Sequence, residues 1–199
     1  MSQVQQNEKE LLQHGIKVLK FGGTSVANAE NIRKTVDIVK RGQGAQIVVV
    51  SALSGVTDLL IKAGTQAEQS DEAYKDTLQL LETKHLDAAR ELLPVTEQSS
   101  SLSMIKQHFN ELDEICGSVF YLKELSLRTK DRIISFGELL SSKMIAAYMQ
   151  SAKLDTEWLD SRKLIRTNSN FGFASVDFST TNDKIAYTVS SSHKKLFLA

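Results

Sequence analysis

Val18-Leu19-Lys20-Phe21-Gly22-Gly23-Thr24-Ser25-Val26 joins two patterns of different period through a pair of glycines. Upstream, Ile16, Val18 and Leu19 form an apolar run that reads as a strand from Ile16 to Phe21, with Lys20 at its end. Downstream, after Thr24-Ser25, the residues Ala27, Ile32, Val36 and Val39 recur at helical spacing until the basic Arg41 and a glycine stop at Gly42. Ala45-Gln46-Ile47-Val48-Val49-Val50 then runs nearly all apolar rather than alternating, as a strand covered on both faces does. Strand, helix and buried strand make a βαβ unit, and that unit predicts a parallel sheet flanked by helices.

The turn has chemistry of its own. Two glycines let the backbone bend tightly and present its N–H groups at close range. The helix start adds unpaired donors and the positive end of a dipole, a combination that favours anions and phosphate above all. Lys20 would set a full positive charge beside them. The spacing matches neither the Walker loop nor the dinucleotide fingerprint, so on these residues alone an ordinary strand–turn–helix connection with a surface lysine fits as well.

The second strand runs into Ser51-Ala52-Leu53-Ser54-Gly55-Val56-Thr57-Asp58. Small hydroxyl residues at the carboxyl end of a parallel strand stand where open α/β sheets place ligands. Ser54 or Thr57 could equally cap the next helix, and the two roles are compatible.

From Glu68 to about Arg128 the strand signal disappears. Tyr74, Leu78, Leu81, His85 and Ala88 suit one helix, which Pro94 stops, and Ser99 to Ser101 offer a cap for the next. That next helix carries Leu102, Ile105, Phe109, Leu112, Cys116 and Val119 in steps of three and four, a stripe that suits the core of an all-helical insertion better than a partner surface. His85 and His108 read as helix-surface or partly buried structural residues. A third helix, Thr129 to about Ala152, is apolar around much of its circumference yet contains Gly137-Glu138. A glycine in a helix interior costs ~1 kcal/mol against alanine, and a buried carboxylate requires partners. Either something approaches closely there and is held by Glu138, or Glu138 lies on the wet side with Ser141 and Ser142.

Alternation returns over Leu154 to Leu159. Asp160-Ser161-Arg162 opens a turn or short helix, a polar loop runs from Arg166 to Phe173, and a helix covers Thr180 to about Ser191. Lys194 to Ala199 reads as the opening of another strand. A buried parallel strand with no helix to cover it reads as part of a longer protein.

Bulk properties narrow the function classes. The chain has 199 residues, 41% hydrophobic, with a formal net charge of zero, so the basic footprint of a nucleic-acid binder is absent. Its single cysteine, Cys116, excludes a disulfide scaffold and fits a reducing compartment. No apolar run approaches the ~20 residues of a membrane span. The polar start, residues 1–15, reads as a flexible segment with at most a short helix over Glu8 to Leu12, and it lacks a signal core. A cytoplasmic protein is expected.

Four separated motifs stand in a definite order: Lys20-Phe21-Gly22-Gly23-Thr24-Ser25, then Ser51 to Asp58, then Gly137-Glu138 with Ser141-Ser142, then Asp160-Ser161-Arg162 leading to Phe171-Gly172. In this order the chain resembles the aspartate kinases of the amino acid kinase family, from about Lys17 to Ala199. The resemblance implies a three-layer αβα sandwich on a mainly parallel sheet over residues 16–199, with a helical insertion at about 66–128, incomplete at its carboxyl end. It implies transfer of the ATP γ-phosphoryl group to the side-chain carboxylate of L-aspartate, the first step toward lysine, threonine and methionine. Lys20 would be catalytic; Lys20, Gly22, Gly23, Thr24 and Ser25 would face the phosphates; Ser51, Thr57, Glu138 and Asp177 would hold the amino acid. Mg2+ would arrive with the nucleotide, with no metal site of the chain's own. Family members are expected to be homo-oligomers, some with a fused homoserine dehydrogenase.

Two departures accompany the resemblance. Many members carry a basic residue after the Phe-Gly pair, gripping the substrate carboxylate; here it is Phe173, and Arg166 is a candidate replacement. The nucleotide half is expected beyond Ala199, so the chain alone is not expected to turn over. A sister kinase with another carboxylate substrate, or a non-catalytic ligand-binding or assembly fragment, are the alternatives.

Overall fold

A computed structural model describes residues 15–194 and 196–199. The flexible segment expected at residues 1–15 lies outside them, apart from Gly15. Strands β1 (Ile16–Phe21) and β2 (Ala45–Val50) pair in parallel, with Val18 opposite Ile47 and Lys20 opposite Val49. Between them run a 3-10 turn, Gly23–Val26, and helix α1 (Ala29–Arg41). Two shorter strands, β3 (Thr156–Trp158) and β4 (Leu196–Leu198), complete a four-stranded sheet in the order β1-β2-β4-β3, with every pairing parallel. The fold is α/β, as the βαβ pattern predicts, because each parallel pairing needs a helical crossover. All four carboxyl ends lie along one edge of the sheet.

β2 is covered on both faces, and its one polar residue has a structural use. Gln46 is buried and its side-chain amide donates to the carbonyl of Val39, 3.2 Å away, in the last turn of α1. The remaining helices are α2 (Val56–Glu68), α3 (Ala73–Leu92), α4 (Gln98–Leu122), α5 (Leu127–Ser151), the single turn α6 (Ser161–Leu164) and α7 (Phe178–Ser191). Helices α2 to α5 pack on one another, and α5 also lies against β2 and β3. Ile105, Phe109, Leu112, Cys116 and Val119 are buried among them, so the stripe of α4 is core, with Leu102 at its margin. One continuous core runs from Val48 and Val50 of the sheet through Leu60 and Leu140 to Leu112. Burial pushes the Cys116 thiol up to about 12, which leaves it inert.

Two local expectations are corrected. Ser99 to Ser101 do not cap α4 but lie within its first turn; Glu97 is the cap residue, without a side-chain bond. Pro94 opens a tight 3-10 turn, Val95–Glu97, closed by the Glu97 N–H on the Pro94 carbonyl at 2.8 Å, and α4 continues from it. His85 is fully buried rather than at the helix surface. Its Nδ1 lies 2.7 Å from the Leu81 carbonyl, its ring packs on Phe109 at 5.6 Å between centroids, and its Nε2 has no partner among the described residues.

Burial pushes His85 down to about 4 from an ordinary 6.5, so the folded chain keeps it neutral where the unfolded chain protonates it. Stability from this residue is complete above pH 6.5 and is lost as pH falls toward 4. Denaturant unfolding between pH 7 and pH 4 should show a smaller acid loss in His85→Leu than in the wild type. The two should differ by on the order of 3 kcal/mol across the window.

Candidate active site

The glycine turn is held from outside by α1. Gly22 is extended and sends the chain into the 3-10 turn, closed by the Ser25 N–H on the Gly22 carbonyl at 2.9 Å. Asn31 donates its amide to the Thr24 carbonyl at 2.8 Å, and the Thr35 hydroxyl donates to the Ser25 carbonyl at 2.8 Å. Asn28 caps α1 by accepting the Asn31 N–H at 3.0 Å, so the helix begins there and not directly after Ser25. Lys20 and Thr24 are exposed. A side chain at Gly23 would meet the Ala52 carbonyl oxygen at 3.2 Å, which places the turn against the exit of β2.

That exit is fixed from the other side by α5. The Ser51 N–H donates to the Phe21 carbonyl at 3.1 Å, extending the ladder by one bond. The Ser141 hydroxyl donates to the Ser51 carbonyl at 2.8 Å, and the Ala52 N–H donates to Oε1 of Glu138 at 3.4 Å. A Cβ on Gly137 would lie 2.9 Å from the Cβ of Ala52 and 3.4 Å from Val56, so only glycine lets α5 come this close. Glu138 itself is exposed while Ser141 and Ser142 are buried beneath it. Both alternatives posed for Gly137-Glu138 therefore hold in part: the close approach is by Ala52, and the carboxylate faces solvent.

Gly55 turns the chain into α2 with a left-handed φ of 76°, a conformation that favours glycine. Neither Ser54 nor Thr57 caps α2. Instead Lys84 of α3 donates to the Ser54 carbonyl at 2.7 Å, and Thr57 sits half-buried in the first turn.

Off the carboxyl ends of β2, β3 and β4 lies a cavity of about 230 Å³, lined by Val50, Glu138, Leu139, Ser142, Trp158 and Arg162 among others. The Trp158 indole N–H donates to the Ser142 hydroxyl at 3.0 Å. Asp160 accepts the Arg162 backbone N–H at 3.1 Å and grips its guanidinium through Nε at 2.9 Å and Nη2 at 2.8 Å. That guanidinium holds the Asp160 carboxyl below the usual carboxylate range. Ser51, Glu138 and the glycine turn thus converge on Ala52, and Glu138 alone of the expected site residues lines this cavity.

Asp177 has a different setting. It caps α7, accepting the Thr180 N–H at 3.1 Å and the Thr180 hydroxyl at 2.6 Å, which holds its carboxyl below the ordinary value. The loop before it is tied to the start of α5, where Asp131 accepts the Gly172 N–H at 2.8 Å and Arg128 lies over the Phe171 ring. Phe173 is 80% exposed. Sequence reasoning missed Asn31, Thr35 and Trp158, whose role is to fix the backbone or walls of the site; for Asn31 and Thr35, polar residues on a helix facing a strand exit were the available signal.

Residues 15–194 match the model of the amino acid kinase family. This chain belongs to that family. Within it, the chain is 34% identical over 157 residues to the bifunctional aspartokinase/homoserine dehydrogenase 1 of Arabidopsis thaliana, covering 77% of this chain and 17% of the relative. To the lysine-sensitive aspartokinase 3 of Escherichia coli it is 30% identical over 168 residues, covering 81% of this chain and 34% of the relative. Among solved structures, E. coli aspartokinase III in complex with aspartate and ADP superposes with a TM-score of 0.80 at 25% identity, covering 92% of this chain and 39% of that one. This amino acid kinase chain therefore spans about a third or less of the curated relatives' length.

The contact at Ala52 is testable. Gly137→Ala should destabilise the chain by about 1–2 kcal/mol, the overpacking cost less the gain in helix propensity. Ala52→Gly combined with it should lose less than the sum of the two single changes, as thermal or denaturant unfolding would read.

Proposed function

We propose that this chain supplies the amino-acid-holding, phosphate-facing part of an aspartate kinase, which transfers the ATP γ-phosphoryl group to the side-chain carboxylate of L-aspartate. The observation that carries this is the convergence on Ser51-Ala52 of the Lys20 glycine turn and of the helix bearing Glu138. The similarity to aspartokinases over most of the chain supports it. The solved relative with aspartate and ADP bound supports the pair of substrates.

The chemistry needs little from the protein beyond position and charge. A side-chain carboxylate is already ionised at neutral pH, so no general base is required. One of its oxygens attacks the γ-phosphorus, the bond to the ADP oxygen breaks, and an acyl phosphate results. Charge spreads over the oxygens of the transferring group, and stabilising it is the main demand. Lys20 supplies a cation at the end of β1, with Gly22, Gly23, Thr24 and Ser25 presenting backbone and hydroxyl donors beside it. Glu138 faces the substrate ammonium, and Ser51 and Thr57 offer hydroxyls near the reacting end. Asp177 contributes by ordering the start of α7.

Among the described residues no group of three or more His, Cys, Asp or Glu could hold a metal ion. In this proposal the Mg2+ ion travels with the nucleotide phosphates. A role in lysine, threonine and methionine synthesis, a cytoplasmic location and a homo-oligomeric state follow from the same proposal. No helix among the described residues is long and apolar enough to cross a membrane.

Calorimetric titration of the chain with L-aspartate and L-glutamate tests the substrate class. Aspartate should bind in preference, and Glu138→Gln should weaken it by on the order of tenfold or more, since a charged hydrogen bond is lost. Binding of glutamate alone would point to a sister kinase. In the complete enzyme, Lys20→Ala should lower kcat by 10²-fold or more with a smaller change in the aspartate KM.

A further inference from the structure

The cavity beside Glu138 has a charged group on two of its walls, and only one of them has an assigned role. Glu138 projects from α5; Arg162 stands in the turn after β3. Between them Val50, Leu139 and Trp158 provide apolar surface that strengthens any charge pair formed there. Among the described residues lining the cavity, Arg162 is the only cation.

Arg162 is also pre-set for a ligand. Asp160, whose side chain is 11% exposed, binds the Nε–Nη2 edge of the guanidinium and so fixes its plane. Nη1 makes no hydrogen bond among the described residues, while the Arg162 side chain is 52% exposed. A planar guanidinium with one edge anchored and the other free suits a carboxylate. Two neighbouring cations are otherwise engaged. Lys143 lies 3.0 Å from His108 and over the Trp158 ring, and Arg132 pairs with Glu111 at 2.9 Å. Burial, and next the charge of Arg162, hold the Lys143 ammonium below its ordinary value. The loop of Phe173 attaches to α5 at Asp131, seven residues and about 10 Å along the helix from Glu138.

We propose that Arg162 grips the α-carboxylate of the amino-acid substrate while Glu138, across the cavity, holds its ammonium. The two groups sit on one carbon of the substrate, so a site with opposite charges on facing walls reads a zwitterion and leaves the side-chain carboxylate free to react. This rests on the cavity being the amino-acid site proposed above.

The test compares L-aspartate with its α-amide, which keeps the size and ammonium but lacks the α-carboxylate charge, by calorimetry on the 199-residue chain. The wild type should bind aspartate on the order of tenfold or more tighter than the α-amide. Arg162→Gln, confirmed as folded by circular dichroism, should lose that factor for aspartate and bind the two ligands alike; Arg162→Lys should recover part of it. If Arg162→Gln keeps wild-type affinity and discrimination while Glu138→Gln loses aspartate, the role of Arg162 is overturned and the amino-acid site stands. If the folded wild type binds no aspartate, both fail. Should Arg162→Gln not fold, equal wild-type affinity for the two ligands overturns the proposal without it.

Discussion

Ala52 is squeezed between two backbones, and the site depends on that squeeze. On one side its carbonyl oxygen would stand a tight 3.2 Å from a Cβ at position 23; on the other its methyl group leaves room only for a glycine at position 137. Each glycine carries a local conformational cost, about 1 kcal/mol for the one inside α5. What they give is distance. The turn after β1 and the helix bearing Glu138 come within van der Waals reach of one residue, although 114 positions separate the two glycines in the chain. A larger residue at position 137 would push the carboxylate of Glu138 away from the exit of β2.

The helical part of the molecule follows from the same requirement. A helix that must touch the exit of β2 has to be pressed there, and α2, α3 and α4 supply the pressure through one continuous core with the sheet. Ser141 and Glu138 convert that packing into position by bonding the backbone of Ser51 and Ala52 directly. Stability and site geometry therefore share residues, and changes deep among the helices reach the site through α5.

Much of this was legible in the chain. The period switch around Gly22-Gly23 identifies the βαβ unit because strands and helices bury side chains at different intervals. The stripe of α4 identifies core for the same reason. The odd glycine inside an apolar helix pointed to a close approach, though not to Ala52 as the neighbour. What could not be read is tertiary by nature. Asn31, Thr35 and Gln46 are unremarkable polar residues until the carbonyls they satisfy are in view. His85 is polar by type yet buried by its place between Leu81 and Phe109. The Asp160–Arg162 fork needs only two residues of spacing, but its position beside Glu138 depends on β3 lying two strands away from β2.

The strand order has a kinetic side. β4 sits between β2 and β3 and pairs Gln46 with Leu196, so a contact of very long sequence separation joins the two halves of the sheet. β4 is three residues long, and its neighbour Ala199 completes the ladder by donating to Val48 and accepting from Val50 while also lining the cavity. Long-range parallel pairings are slow to form because loop closure precedes the contacts that repay it. The glycine turn and β2 can assemble from the first fifty residues, whereas the wall bearing Trp158 and Arg162 docks only when β4 slots into place. The glycine turn can thus form before the wall bearing Trp158 and Arg162 docks.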